Sequence, residues 1–224
     1  MAALHADVPD NALKMLFVQA DDRRNLRRRA WLQRAGEPLG YAYLITAGWF
    51  GRIRTSGSGA EAFTGVYIPG DVIGLDALAG ARFDDDVIAL LEGSVLRLSI
   101  DQLRHAIGRG GATAAQVVEL LAAEAAYLRE AVFAVGTQPS AQRLSTFFLQ
   151  THQRVAAAGL TLPGSDRFAL PLTQAQLGAV TGLTSVHVNR VLKQLRQDNL
   201  LSFQSGVARI LDPVGLRRAA HRRL

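Results

Sequence analysis

The stretch LTQAQLGAVTGLTSVHVNRVLKQLRQDNLL, residues 172–201, decides how the rest of the chain is read. Its spacing predicts two helices joined by a tight turn. Thr173 can cap the first helix, with Gln176 three residues on at the capping-box position. Leu177 and Val180 form that helix's inner face. Gly182 stands where a helix-turn-helix needs positive φ and close packing, and Leu183 fills the elbow. Thr184 offers a second N-cap oxygen. Val188, Val191, Leu192 and Leu195 recur at helical spacing and define a buried stripe. Ser185, His187, Asn189, Arg190 and Lys193 fall largely outside that stripe. They leave a row of donors near the helix N-terminus, from which a recognition helix reads base edges. A plain helical hairpin would show the same stripe. The two caps, the Gly-Leu-Thr turn and the Val-x-Arg-x-Leu-x-x-Leu pattern together favour a reader of double-stranded DNA.

The charge distribution points the same way. The 224 residues carry a net charge of +6. Residues 136–224 hold 11 Lys and Arg against Asp166, Asp198 and Asp212, a net +8, whereas residues 1–135 hold 14 basic and 16 acidic side chains, a net −2. The positive charge therefore coincides with the helical pair, where it attracts phosphate and releases counterions. There is no Cys, which excludes disulfides, thiolate zinc and cysteine-ligated iron–sulfur clusters. The N-terminus MAALHADVPDNALKML has no basic region followed by a long apolar run, and no segment approaches the ~20 apolar residues of a membrane span. A cytoplasmic chain with no membrane partner is expected. No His-x-His cluster, Gly-x-Ser-x-Gly, Walker loop or dinucleotide fingerprint is present, so neither an enzyme nor a metal or cofactor is expected.

Outward from the motif, the chain divides into three parts. Residues 1–30 read as a polar helix ending in RRNLRRR (23–29), taken as a solvated helix end in preference to a nucleic-acid patch. Between 31 and 100, glycines punctuate short β-rich runs: YAYLI (41–45), FTGVYI (63–68), VIALL (87–91) and SVLRLSI (94–100), with RTSGSGAE (54–61) as a hairpin tip. That pattern predicts an antiparallel barrel or sandwich. Val118, Leu121, Ala125, Leu128, Val132 and Val135 repeat with 3,4,3,4,3 spacing, the seam of a helix pair joining two protomers. A second stripe, Val117, Leu120, Tyr127 and Ala131, is expected to pack on the barrel. Ser140 can cap a helix over 141–159, and a loop over 159–171 leads to the DNA motif. LLSFQSGVARIL (200–211) is expected to form a hairpin turning at Ser205-Gly206, a wing whose Arg209 meets phosphate. A short helix begins at Asp212-Pro213, ending in the basic tail RRAAHRRL. The expected fold class is α+β: an antiparallel β-barrel sensory domain (1–111), a dimerisation helix (112–136) and a winged helix-turn-helix domain (137–224).

This order resembles the Crp/Fnr family of bacterial transcription regulators over nearly the whole chain. AGEPLGYAYLITAGWFGRIR (35–54) and YIPGDVIGLDAL (67–78) are similar to that family's cyclic-nucleotide-binding-like jelly-roll barrel. LTQAQLGAVTGLTSVHVNRVLKQLRQDNLLSF followed by ARILDPVGL is similar to its winged helix. The resemblance implies a homodimer on an inverted-repeat operator, with the loop 156–166 touching RNA polymerase and activation as the first expectation. It places Thr173 and Gln174 at phosphate, Thr184 at the cap, Ser185 and Asn189 at base or phosphate, His187 at backbone, and Arg190 at guanine. Lys193 completes the row. Val186 stands where both well-known branches carry a cytosine-reading Glu, so contact with a thymine methyl and a different half-site are expected.

The barrel departs from the family's ligand-binding pattern. Gly74 is present, but Leu75 replaces the ribose-holding glutamate, and Asp85 and Asp86 fall where an arginine pair holds phosphate. Asp84-Asp85-Asp86 repels a phosphate, and Arg82 offsets it only in another loop register. The lone His5 and His105 do not make a haem site. Regulation without cyclic nucleotide is expected and the effector is unassigned. The alternatives are a ligand-gated regulator of the same family and a cupin-like enzyme.

Overall fold

The computed structural model describes residues 11–38, 40–80, 84–161 and 166–221. His5, Arg82, residues 162–165 and Arg222–Arg223 lie outside them. The fold separates into two compact units, one up to Tyr127 and one from Leu128.

The first unit opens with α1 (Ala12–Ala20), capped by Asn11, whose Oδ1 accepts from the Lys14 N–H at 2.8 Å. The helix stops at Ala20 because Asp21 turns into the left-handed region, φ 50°. The arginine run is therefore not a helix end. It starts β1 (Asp22–Leu26) and continues into a turn. The remaining strands are β2 (Trp31–Gln33), β3 (Tyr41–Ala47), β4 (Phe50–Thr55), β5 (Glu61–Tyr67), β6 (Val72–Ile73), β7 (Asp86–Ala89) and β8 (Gly93–Ser99). They form two antiparallel sheets ordered β1-β8-β3-β6 and β2-β7-β4-β5. The jelly-roll expectation holds, but the sheets do not close into one barrel. Each sheet has its own outer strands, and no ladder joins the two sheets among the described residues.

β3 explains why YAYLI reads as a continuous apolar run. Successive side chains point to opposite faces, and both faces are covered. Ala42 and Leu44 enter a core with Leu13, Phe17, Leu96, Leu98 and Leu103. Tyr43 and Ile45 enter another with Leu26, Phe50, Ile73, Val87 and Val95. The hairpin expected at 54–61 joins β4 to β5, closed by the Ser56 N–H on the Ala60 carbonyl at 2.8 Å. Gly93 permits a very close backbone approach. A Cβ there would collide with the Ala47 carbonyl oxygen. Gly93→Ala is expected to cost about 1–3 kcal/mol by overpacking, read as a lower urea midpoint at unchanged slope.

α2 (Ile100–Gly108) begins with a full capping box between Ser99 and Gln102. After Gly110 and Gly111, both left-handed, comes α3 (Ala112–Thr137), 26 residues long. Among its residues only Val117 is buried. The second stripe expected on the barrel face is thus reduced to one anchor. Leu120 and Tyr127 are exposed, and Ala131 is half-buried.

The second unit contains α4 (Ser140–Ala157), β9 (Arg167–Ala169), α5 (Gln174–Thr181), α6 (Ser185–Gln197), β10 (Leu201–Gln204), β11 (Val207–Ile210) and α7 (Pro213–His221). The wing hairpin turns at Ser205 (φ 50°) and Gly206 (φ 76°), the two positive φ angles a tight two-residue hairpin requires. A third strand, β9, adds to β11 inside the segment read from sequence as a loop. Leu144, Phe148, Phe168, Leu177, Val188, Leu195, Leu201 and Leu216 are all buried in this unit.

Candidate nucleic-acid interface

The turn between α5 and α6 is fixed by backbone. Thr173 Oγ1 accepts from the Gln176 N–H at 3.2 Å, and Gln176 Oε1 accepts from the Thr173 N–H at 2.8 Å, the reciprocal box expected from sequence. Gly182 closes α5 at φ 65°. The Leu183 N–H then donates to the Gly178 carbonyl at 2.9 Å. Gly178 was not anticipated as a packing residue. A Cβ on it would collide with the Leu183 carbonyl oxygen, so the elbow presses directly on the helix backbone. Arg143 of α4 was missed as well. Its Nη1 donates to the carbonyls of Thr181 and Gly182, each at 3.1 Å, and satisfies oxygens the helix end leaves open.

α6 starts at Thr184, whose Oγ1 accepts from the His187 N–H at 3.3 Å. The same oxygen lies 2.9 Å from His187 Nδ1, so this side chain folds back on the cap. Val188, Val191 and Leu195 are buried, as the stripe predicts, and Leu192 is half-buried. On the other side, Ser185, Val186, His187, Asn189, Arg190 and Lys193 are all exposed, Val186 at 75%. Thr173, Gln174 and Thr184 are exposed too. Asn189 Nδ2 donates to Gln174 Oε1 at 3.1 Å and ties this face to the start of α5. Arg190 and Lys193 make no ion pair among the described residues, which leaves their charge to the solvent.

Arg209 lies on the exposed face of β11, directly across the ladder from Arg167 of β9. Like charges so placed repel. Arg167 escaped the sequence reading because β9 is only three residues long. Its signal would have been Phe168, a large apolar side chain inside a stretch read as a loop.

The seam residues Val118, Leu121, Ala125, Leu128, Val132 and Val135 are all exposed on α3. Val135 also approaches the turn: its Cγ2 lies 3.1 Å from where a Cβ on Gly182 would be.

In the first unit, the segment expected to repel phosphate is internally neutralised. Asp85 is only 2% exposed. It accepts from Arg52 Nε at 2.6 Å, Arg54 Nε at 2.5 Å and Thr64 Oγ1 at 3.1 Å. Arg52 Nη2 also donates to Asp76 Oδ2 at 2.7 Å, and its Nη1 lies 3.7 Å from Glu124 of α3. Burial pushes the Asp85 carboxyl up, but the bonds from Arg54, Arg52 and Thr64 outweigh it and hold the group below its ordinary value. Burial also works against the Arg52 charge, yet Tyr67, Asp76 and Asp85 keep it above its ordinary value. The Tyr67 hydroxyl is pushed up to about 12, chiefly by burial. Burial raises Glu124, with Arg52 opposing and Asp76 adding to the rise. Leu75, in place of a ribose-holding carboxylate, is buried at the start of a short 3-10 helix. Among the described residues no cluster could hold a metal ion, and no helix is long and apolar enough to cross a membrane.

Residues 142–219 match the Crp-like helix-turn-helix domain, and residues 23–109 match the cyclic nucleotide-binding domain. The transcriptional regulatory protein btr of Bordetella pertussis is 25% identical over 214 residues, spanning 94% of this chain and 86% of the relative. The transcriptional activator protein anr of Pseudomonas aeruginosa is 23% identical over 193 residues, 86% of this chain and 78% of that protein. Among solved structures, FixK2 from Bradyrhizobium japonicum superposes with a TM-score of 0.79 at 22% identity, covering 88% of this chain and 96% of that one. A CRP-family transcriptional regulator from Thermus thermophilus gives a TM-score of 0.71 at 19% identity, with coverage of 90% and 98%. With both domains matched in the expected order, the chain belongs to the Crp/Fnr family and is a transcription regulator with a DNA-binding helix-turn-helix, not an enzyme.

Proposed function

We propose that this regulator acts as a homodimer on an inverted-repeat operator, needs no cyclic nucleotide, and activates transcription. The observation that carries the DNA reading is the exposed face of α6, where Val186, Asn189, Arg190 and Lys193 stand opposite a buried apolar stripe. Arg190 is assigned a bidentate contact to guanine, and Val186 a thymine methyl. Ser185 and Asn189 add base or phosphate bonds. Thr173, Gln174, His187, Lys193 and Arg209 are assigned to the phosphate backbone, with Thr184 holding the helix start.

Dimerisation is supported by the exposed seam of α3, because helix-turn-helix proteins commonly read two half-sites with two protomers. Independence from cyclic nucleotide is supported by the ion cluster. Arg52 is already committed to Asp76 and Asp85, so its charge is spent within the protein and not held for an incoming phosphate. A signal of another chemistry would act by shifting α3 and so the spacing of two recognition helices. Activation is supported by the similarity to anr, whose name makes it a transcriptional activator. The residues expected to touch RNA polymerase, 156–166, include 162–165, which lie outside the described residues.

Selection from random duplexes by the purified protein, at fixed salt and without added ligand, tests the reading. Enrichment of one inverted repeat is expected. Salt-sensitive binding without enrichment, even with cyclic AMP or cyclic GMP added, would count against it. On the enriched site, Arg190→Ala is expected to lose about 1–3 kcal/mol, with discrimination relaxed at one base pair per half-site.

A further inference from the structure

The arginine run 23–29 has no part in the interface above, yet the fold holds it in a defined shape. β1 is the outer strand of its sheet and pairs with β8 alone. The chain then turns over Arg27–Ala30. The Ala30 N–H donates to the Arg27 carbonyl at 3.0 Å, and Arg29 takes φ 68°. A non-glycine residue in that region is uncommon. Here it is held by the Arg29 N–H on the Ala89 carbonyl at 2.7 Å and the Ala89 N–H on the Ala30 carbonyl at 2.9 Å. The turn is thus fastened to β7 by backbone alone, and its side chains stay outside.

Arg24 is committed, donating to the carbonyls of Trp31 and Leu32 at 3.1 Å. Arg23, Arg27, Arg28 and Arg29 are exposed and have no hydrogen bond or ion pair through their side chains among the described residues. Of the nearby acids, Asp22 is taken by Arg97 at 2.8 Å and Asp86 by Arg34 at 3.1 Å, while Asp21 and Glu92 are exposed and pair with none of the four. These four exposed arginines thus fall within seven residues of sequence, on a part of the chain, residues 1–135, whose net charge is −2.

We propose that Arg23, Arg27, Arg28 and Arg29 form a second contact to duplex DNA, binding phosphates without regard to sequence when the duplex extends beyond the operator. The guanidinium fork matches phosphate bidentately. The run itself presents no exposed apolar side chain of the kind that anchors a protein interface, although Trp31 beside it is 39% exposed. Leu26 is buried, and Arg34 lies over the Trp31 ring at 4.5 Å. Binding of the helix-turn-helix to DNA, on which this proposal rests, brings the polyanion to the same chain at high effective concentration.

The test compares wild type with R23Q/R27Q/R28Q/R29Q on two duplexes. One is limited to the selected repeat; the other extends about two helical turns, roughly 20 base pairs, on each side. Wild type is expected to bind the longer duplex ~10-fold tighter or more at low salt. The variant forfeits that gain and keeps wild-type affinity for the short duplex. Its salt slope on the long duplex falls by about 0.9 for each phosphate it no longer neutralises. The corresponding four-lysine variant retains most of the gain. No gain for wild type, an undiminished gain for the variant, or an equal weakening on both lengths overturns the proposal. So does a variant that binds both duplexes normally but fails to support transcription, which would assign the face to an acidic protein. Equal melting temperatures verify the fold, and Arg28→Gln alone serves if the quadruple variant does not fold. If wild type shows no preference for the repeat over scrambled DNA, operator reading fails separately, and the variant's salt slope on scrambled duplex still reports on the patch.

Discussion

Leu128→Glu is expected to convert the protein to a folded monomer that binds its operator at least ~100-fold more weakly. Leu128 is exposed in the single chain, in line with Val118, Leu121, Val132 and Val135. Little within the protomer is given up by the change. The effect falls on association, where burying one leucine contributes about 1.5–3 kcal/mol and a symmetric pair of helices counts it twice. Two glutamates facing each other across the seam add repulsion. Sedimentation should show a monomer, circular dichroism an unchanged helix content, and titration of the inverted repeat a weakened complex. A stable monomer that binds tightly would refute the dimer mechanism. Because α3 has a single buried residue within the protomer, thermal stability of the wild type should also rise with protein concentration.

Asp85→Ala should remove about 3–5 kcal/mol of stability, whereas Asp84→Ala should stay within about 0.5 kcal/mol. The neighbours differ only in surroundings. Asp85 is buried between two guanidinium groups, while the Asp84 side chain is 75% exposed, with Arg54 at 3.7 Å. Urea denaturation separates the two cases. The same cluster sets a dependence on acid. A carboxyl lowered in the folded state stabilises above its ordinary pKa, and that contribution fades as pH falls through the lowered value. Glu124, raised in the folded state, carries the opposite sign: its ionised form costs stability, and the cost disappears as it takes up a proton. Wild type should thus lose stability on acidification below the ordinary carboxylate range. Asp85→Ala should lose less over that window, and Glu124→Gln should flatten the region just above it.

Much of the second unit was legible because local chemistry and tertiary role coincide there. Thr173, Gln176, Gly182 and Thr184 do what capping and turn geometry require of them, and Val188, Val191 and Leu195 fall on the buried side by period alone. What escaped depended on partners distant in the chain. Arg143 reaches the turn across 38 residues, and Gly178 matters only because the Leu183 carbonyl lands on it. In the first unit, the glycine-punctuated runs announced antiparallel strands, but whether those strands close is settled by pairing that single runs do not encode. RRNLRRR, read as a helix end, became strand and turn because Asp21 breaks α1 first. Asp84-Asp85-Asp86 looked like one repulsive block. Its central member is neutralised by Arg52 and Arg54 from β4, a relation visible only once β4 and β7 pair.

The close approach of the Gly178 backbone to the Leu183 carbonyl bears on how such a protein changes over time. Since main-chain atoms set the angle between α5 and α6, the exposed side chains on α6 are spared that task. Residues 185, 186 and 190 can be exchanged without disturbing the scaffold that presents them. A lineage keeping glycine at 178 and 182 can drift to new binding sequences in single steps, each intermediate remaining folded, and a designer can retarget the protein by the same route.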